Sequence, residues 1–151
     1  MKDAYFRANA AAVIINESGN LLIGKRKSVQ PETWKFVQGG IHVDETPQQA
    51  ILREIGEEAG IPVNKAVVLA EMLDWIVYET PTRWAKRSDR IGQAQKWFLI
   101  RIPDSIVPQP DNNEFDTLIW VEPENLMSHI NNQRSETYLK VLPVLLPNLR
   151  F

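Results

Sequence analysis

The sequence predicts a single-domain sandwich of the α/β or α+β class, on three observations. Apolar runs of strand length alternate with two or three helical patterns. The 151 residues are enough to bury one core without disulfide or metal staples. Hydrophobic residues at 44% and charged residues at 24% fall in the globular range, so one folded unit over 1–151 is expected. The net charge of −2 gives no global basic signal for nucleic acid. The lack of cysteine excludes thiolate metal sites, disulfides and thiol nucleophiles, and fits a reducing, cytoplasmic location. No apolar run approaches the ~18 residues that span a bilayer, so no membrane partner is expected. Asp3 and Asn9 interrupt the apolar N-terminal patch, which reads as a strand rather than a leader.

The elements follow in order. "NAAAVIIN" (9–16) reads as a buried strand, "ESG" as a turn and "NLLIGKRK" (20–27) as the second strand of a hairpin. After a loop, "KFVQGG" ends in a glycine pair. A helix is predicted over 47–59. Thr46 is its N-cap, Pro47 takes the first helical position, Gln49 completes a capping box, and Gly60 stops it. Ile51, Ile55 and Ala59 form its buried stripe. Residues 66–80 are strand-like, 81–92 a basic loop and 95–102 a clear strand rich in aromatic and branched residues. A Pro/Asn/Asp-rich loop (103–116) leads to a strand at 117–121. Helices are predicted at 123–131 and 135–147, the second bent or ended near Pro143.

Glu54, Glu57 and Glu58 crowd the last turns of the 47–59 helix, on a surface read as opposite the apolar stripe. Like charges at i, i+4 cost roughly 0.2–0.5 kcal/mol. Acids at the negative end of the helix dipole cost about 0.3–1 kcal/mol each. Arg53 can pair with Glu57, but one cation cannot neutralise three carboxylates. A divalent metal reverses the sign: magnesium takes hard oxygen ligands and shares its shell with substrate phosphates. The plainer alternative is a solvated acidic face.

The surrounding pattern favours the metal. Gly39, five residues, Glu45, seven residues, then "REIGEEAGI" (53–61) resembles a complete Nudix box, with Gly39, Glu45, Arg53, Glu54, Glu57, Glu58 and Gly60 at its fixed positions and Ile55 and Ile61 at its apolar ones. The resemblance implies a Nudix α/β/α sandwich with a mixed central sheet, and Mg²⁺- or Mn²⁺-dependent hydrolysis of a nucleoside diphosphate linked to another group. "FRAN", "WKFVQGGI" (34–41), "GQAQKWFL" (92–99) and "EFD" (114–116) are similar to the branch containing RNA 5′-pyrophosphohydrolases and dinucleoside polyphosphate hydrolases. By that resemblance Glu114 is the fourth carboxylate, and a Gln38 or Gly39 carbonyl is a further metal ligand.

Glu54 and Glu58 are then principal ligands. Glu57 is ligand or proton acceptor, and Glu114 competes for the base role. Arg53 orients the glutamates, and Glu45 supports the loop or helix from behind. Arg7, Arg26, Lys35, Gln38, Tyr78 and Arg134 are candidate substrate-binding residues. Arg83, Lys86, Arg87 and Arg90 around Trp84 form a local basic patch with a stacking surface. Trp34 and Trp97 read as core or pocket wall. Gln133 stands where the RNA-cleaving relatives carry a base-stacking aromatic, and the chain ends at Phe151 without a longer basic tail; both departures weaken the RNA reading and leave small dinucleoside polyphosphates or a differently read RNA end open. Cleavage of free nucleoside triphosphates, or of another nucleoside diphosphate derivative, and a non-catalytic nucleotide-binding module are the alternatives. The intact glutamate set argues against the last.

Two rival chemistries fail. "GNLLIGKR" (19–26) nearly spells a P-loop, but Arg26 replaces the Ser/Thr that holds magnesium, and "NLLI" is an apolar strand. His42 and His129 lack any nucleophile context.

Overall fold

The computed structural model describes residues 4–80, 90–130 and 132–151, and the side chains of 132 and 133 fall outside that set. Among the described residues, eight strands join in one mixed sheet. Its spine is the parallel pairing of β1 (Tyr5–Asn16) with β7 (Arg90–Ile102), in register from Phe6 opposite Gly92 to Asn16 opposite Ile102. β1 carries β4 (Val37–Gly40) and the start of β2 (Leu21–Arg26) on its other side, both antiparallel. β2 in turn pairs with β3 (Trp34–Lys35) and β8 (Phe115–Val121). β5 (Val67–Glu71) and β6 (Ile76–Glu79) both pair antiparallel with β7.

The run of buried residues in β1 is continuous because both faces of the sheet are covered. Ala10, Ala12 and Ile14 point to one face, where they meet Ile51, Ile55 and Ala59 of α1 (Pro47–Ala59). Ala11 and Val13 point to the other, where Tyr138, Val141, Leu142 and Leu145 of α2 (Asn132–Leu145) close the second core. The architecture is therefore an α/β/α sandwich, as the motif resemblance implied.

Both ends of α1 follow the sequence. Thr46 accepts from the Gln49 amide while the Gln49 side chain accepts from the Thr46 amide, and Gly60 caps the helix at φ 65°. Four expectations change. Residues 66–80 form two strands, because residues 72–75 turn between β5 and β6. β7 begins at Arg90, inside the segment read as loop, because β1 and β6 pair with its first residues. The helix expected at 123–131 is a 3₁₀ helix, Pro123–Ser128. The helix expected at 135–147 begins at Asn132 and ends at Leu145, two residues past Pro143. No helix of the described residues is long and apolar enough to cross a membrane.

Candidate active site

Arg53 is the hub of the acidic end of α1. Its Nη2 donates to Glu45 Oε1 at 2.7 Å and to the Gly40 carbonyl at 2.9 Å, and its Nε donates to Glu45 Oε2 at 3.1 Å. Its Nη1 donates to Glu54 Oε1 at 2.8 Å and to Glu57 Oε2 at 3.2 Å. The hydrogen bond to Glu45, with the charges of Glu45 and Glu54, raises the guanidinium pKa further against the cost of burial. The helix is thus anchored to the Gly40 carbonyl and to the loop that carries Glu45.

The three glutamates of α1 do not share one outward face. Seven residues fall only about 20° short of two helical turns, so Glu58 sits almost in line with Ile51 and is 8% exposed. Glu54 flanks the same stripe and is also buried. Glu57 turns outward, its side chain 59% exposed. The expected meeting of all three on a surface opposite the stripe is corrected to a buried pair and an outer acid. Burial first, then the neighbouring Glu54, raises the Glu58 carboxyl to about 9 against the opposing pull of Lys35. Glu58 Oε2 has no hydrogen-bond partner. The backbone of Gly39 lies against Glu54 so closely that a Cβ there would overlap the carboxylate.

Glu114, just before β8, lies within electrostatic reach of Glu58. Lys35 Nζ stands 2.7 Å and Arg26 Nε 3.5 Å from Glu114 Oε1. Burial alone would raise the Glu114 carboxyl, but the Lys35 charge and hydrogen bond, helped by Arg26, bring it below the usual range. Burial lowers the Lys35 ammonium, and Glu114 works against that shift. Arg7 lies against Gly40, where a Cβ would meet its guanidinium. Burial pushes the Tyr78 phenol up while the charge of Arg134 opposes it, which brings Arg134 within electrostatic reach of Tyr78 and of Lys35.

Among the described residues, no three carboxylate or imidazole side chains converge as a ready-made cation site. Glu54 and Glu57 are engaged by Arg53, and Glu114 by Lys35 and Arg26. Lys35 is likewise no free surface cation but a buried partner of an acid. The basic loop with Arg83, Trp84, Lys86 and Arg87 lies outside the described residues, as does the Gln133 side chain.

Sequence reasoning missed a buried amide relay. Trp97 Nε1 donates to Gln95 Oε1 at 3.1 Å, and Gln95 Nε2 donates to Asn9 Oδ1 at 3.0 Å and to Gln38 Oε1 at 2.7 Å. An indole N–H only donates, so it fixes which end of each amide faces which neighbour. Gln38 is left with its –NH₂ as the group for anything else it meets. Gln95 and Asn9 could have been found as polar residues inside otherwise apolar strands.

Chemically the residues fit a divalent cation. The donors are hard carboxylate oxygens, one of them buried without a partner, and Gly39 leaves no side chain in the way. Glu54 and Glu58 would hold such an ion, with Glu114, which acts electrostatically on Glu58, and the Gly39 backbone beside Glu54 as further oxygen donors.

The NUDIX domain profile matches residues 5–142, so the chain belongs to this family of hydrolases, whose members cleave phosphoanhydride bonds and generally use divalent metal ions. Within the family, it is 34% identical over 150 residues to an RNA pyrophosphohydrolase of Marinomonas sp., covering 95% of this chain and 92% of the relative. It is 35% identical over 143 residues to an RNA pyrophosphohydrolase of Francisella tularensis, covering 91% of each. Among solved structures, a C. elegans Ap4A hydrolase binary complex superposes with a TM-score of 0.69 at 18% identity, over 93% of this chain and 99% of that one. An E. coli dihydroneopterin triphosphate pyrophosphohydrolase gives 0.73 at 17% identity, over 95% and 99%. At these identities the structures share the fold. The chain is a pyrophosphohydrolase of the Nudix type.

Proposed function

We propose that this chain works as one Nudix unit in the cytoplasm and hydrolyses the 5′-triphosphate end of RNA, with Mg²⁺ as its ion and Mn²⁺ able to substitute. The observation that carries the reading is the buried Glu58 oxygen without a partner, beside Glu54 and within electrostatic reach of the Lys35 ammonium. The identity to RNA pyrophosphohydrolases over nearly the whole chain supports the substrate class.

Arg7, Arg26 and Lys35 bind phosphate oxygens, and the Gln38 –NH₂ donates to another acceptor of the substrate. Tyr78 and Arg134, within electrostatic reach of each other, bind the nucleoside end of the substrate. Glu54 and Glu58, with Glu114 and the Gly39 carbonyl, hold the ion. When bound, the ion neutralises phosphate charge and lowers the pKa of the attacking water. Glu57 takes the water's proton: it faces solvent, whereas Glu114 is engaged with the ion. Arg53 fixes the glutamates and does not touch substrate.

A second reading, hydrolysis of dinucleoside polyphosphates, is favoured by Gln133 at the position where RNA-cleaving relatives carry an aromatic. Parallel assays of 5′-triphosphate RNA, diadenosine tetraphosphate and free nucleoside triphosphates, each with Mg²⁺, Mn²⁺ or chelator, test both. Preferred release of pyrophosphate or phosphate from the RNA end is expected. Turnover of free triphosphates alone would defeat the assignment of branch, and turnover in chelator would defeat the role of the ion.

A further inference from the structure

Lysine normally keeps its ammonium in water while its stem lies on apolar surface. Lys35 does the reverse. Its side chain is 6% exposed, and its ammonium sits 2.7 Å from Glu114 Oε1. It also lies over the Phe115 ring, 5.5 Å from the centroid. An independent observation concerns Glu58, whose Oε2 is buried without a hydrogen-bond partner and whose carboxyl is within electrostatic reach of the same ammonium. A buried ammonium is stabilised chiefly by partners of opposite charge. Lys35 therefore supplies the positive charge between acids on α1 and the acid before β8.

We propose that Lys35 is a tethered counter-cation of the carboxylate site, holding Glu114 in the metal-free protein and releasing it when a divalent ion binds. The inference rests on the reading of Glu58 and Glu114 as metal ligands. It joins ion uptake and phosphate binding into one exchange: the ammonium leaves Glu114 and becomes available to a phosphate oxygen. Two cations competing for one carboxylate in a poorly solvated pocket repel each other, so Lys35 weakens metal binding by the free protein.

The test is Mn²⁺ binding to the full chain without nucleotide, read by the electron paramagnetic resonance of free Mn²⁺ and by calorimetry. The proteins are wild type, Lys35→Gln, Lys35→Met, Glu114→Gln and the double variant Lys35→Gln/Glu114→Gln. Lys35→Gln and Lys35→Met are expected to bind Mn²⁺ roughly tenfold more tightly than wild type. Lys35→Gln is expected to give a clearly smaller gain in the Glu114→Gln background, where only its reach to Glu58 remains. Melting in chelator should show both single lysine variants less stable than wild type, since the half-buried Glu114 keeps only Arg26, at 3.5 Å, as a partner. Added Mn²⁺ should then raise their melting temperature more than it raises that of wild type. That comparison keeps its sign even for a variant that folds only with metal. Equal or weaker Mn²⁺ affinity in the lysine variants, with normal binding by wild type, overturns the inference and leaves the proposed function standing. An equal gain in the Glu114→Gln background also overturns it, because the effect would be one of general charge. No Mn²⁺ uptake by any of the proteins, even with 5′-triphosphate RNA added, overturns the proposed function itself.

Discussion

The Arg53 guanidinium holds the Glu45 carboxylate at two points, Nη2 to Oε1 at 2.7 Å and Nε to Oε2 at 3.1 Å. They stand eight positions apart in sequence, and the pair ties the body of α1 to the loop that leads into it. The Arg53 hydrogen bond, then the backbone N–H of His42, holds the Glu45 carboxyl down to about 2 from an ordinary 4.5. A carboxyl lowered in the folded state contributes stability above its unfolded pKa and loses it as pH falls through the folded one. Wild type should therefore lose this contribution between about pH 4.5 and pH 2. Glu45→Gln should be less stable at neutral pH, and the gap to wild type should close over that window. Thermal melts at stepped pH check this; a gap independent of pH would mean that Glu45 acts through shape alone.

Glu58 gives the opposite pH dependence. Its carboxyl is raised to about 9 in the metal-free fold, so the unfolded chain ionises it more readily than the folded one. Below about pH 4.5 both states are protonated and no penalty exists. From there to about pH 9 the penalty grows with pH. In chelator, Glu58→Gln should be more stable than wild type, by a margin that widens across this window. With Mg²⁺ the order should reverse, and turnover should fall by about 10²-fold or more. Paired melts with and without chelator decide it, and a destabilised Glu58→Gln in chelator contradicts the assignment.

Gly39→Ala tests the approach of β4 to Glu54. The added methyl would overlap the Glu54 carboxylate, so the acid or the strand must move. A loss of about 1–3 kcal/mol is expected from crowding, together with most of the turnover. Urea titration and an activity assay on the same preparation separate the two effects.

The amide relay predicts a division between binding and chemistry. Gln95→Leu leaves the Trp97 N–H and the Asn9 and Gln38 oxygens without their present partner. A cost of about 1–3 kcal/mol for each buried group left unsatisfied is the relevant scale. Because Gln38 loses its orientation, KM for the substrate should rise more than kcat falls. A change confined to kcat would show that Gln38 serves the reaction rather than binding.

The limits of the α1 helix were legible because capping is local. Thr46 and Gln49 satisfy each other's backbone groups, and Gly60 takes a left-handed φ that other residues resist. The Nudix box was legible for a related reason: its spacing lies within one loop and one helix. The division between β5 and β6 was less so, since strand-forming residues run through the turn and long pairing with β7 defines the strands.

By itself, then, the sequence determined the caps, the apolar stripe of α1 and the presence of an acidic set that repels itself. Tertiary structure decided which of those acids is buried. β4, approaching through Gly39, covers Glu54, the core stripe takes in Glu58, and Glu57 stays in water. It also decided that Lys35 turns inward to Glu114, because the pairings of β2 with β3 and with β8 bring residues 35 and 114 together from far apart in the chain. Charge identity is written residue by residue, but desolvation and ion pairing depend on what the rest of the chain packs against each charge.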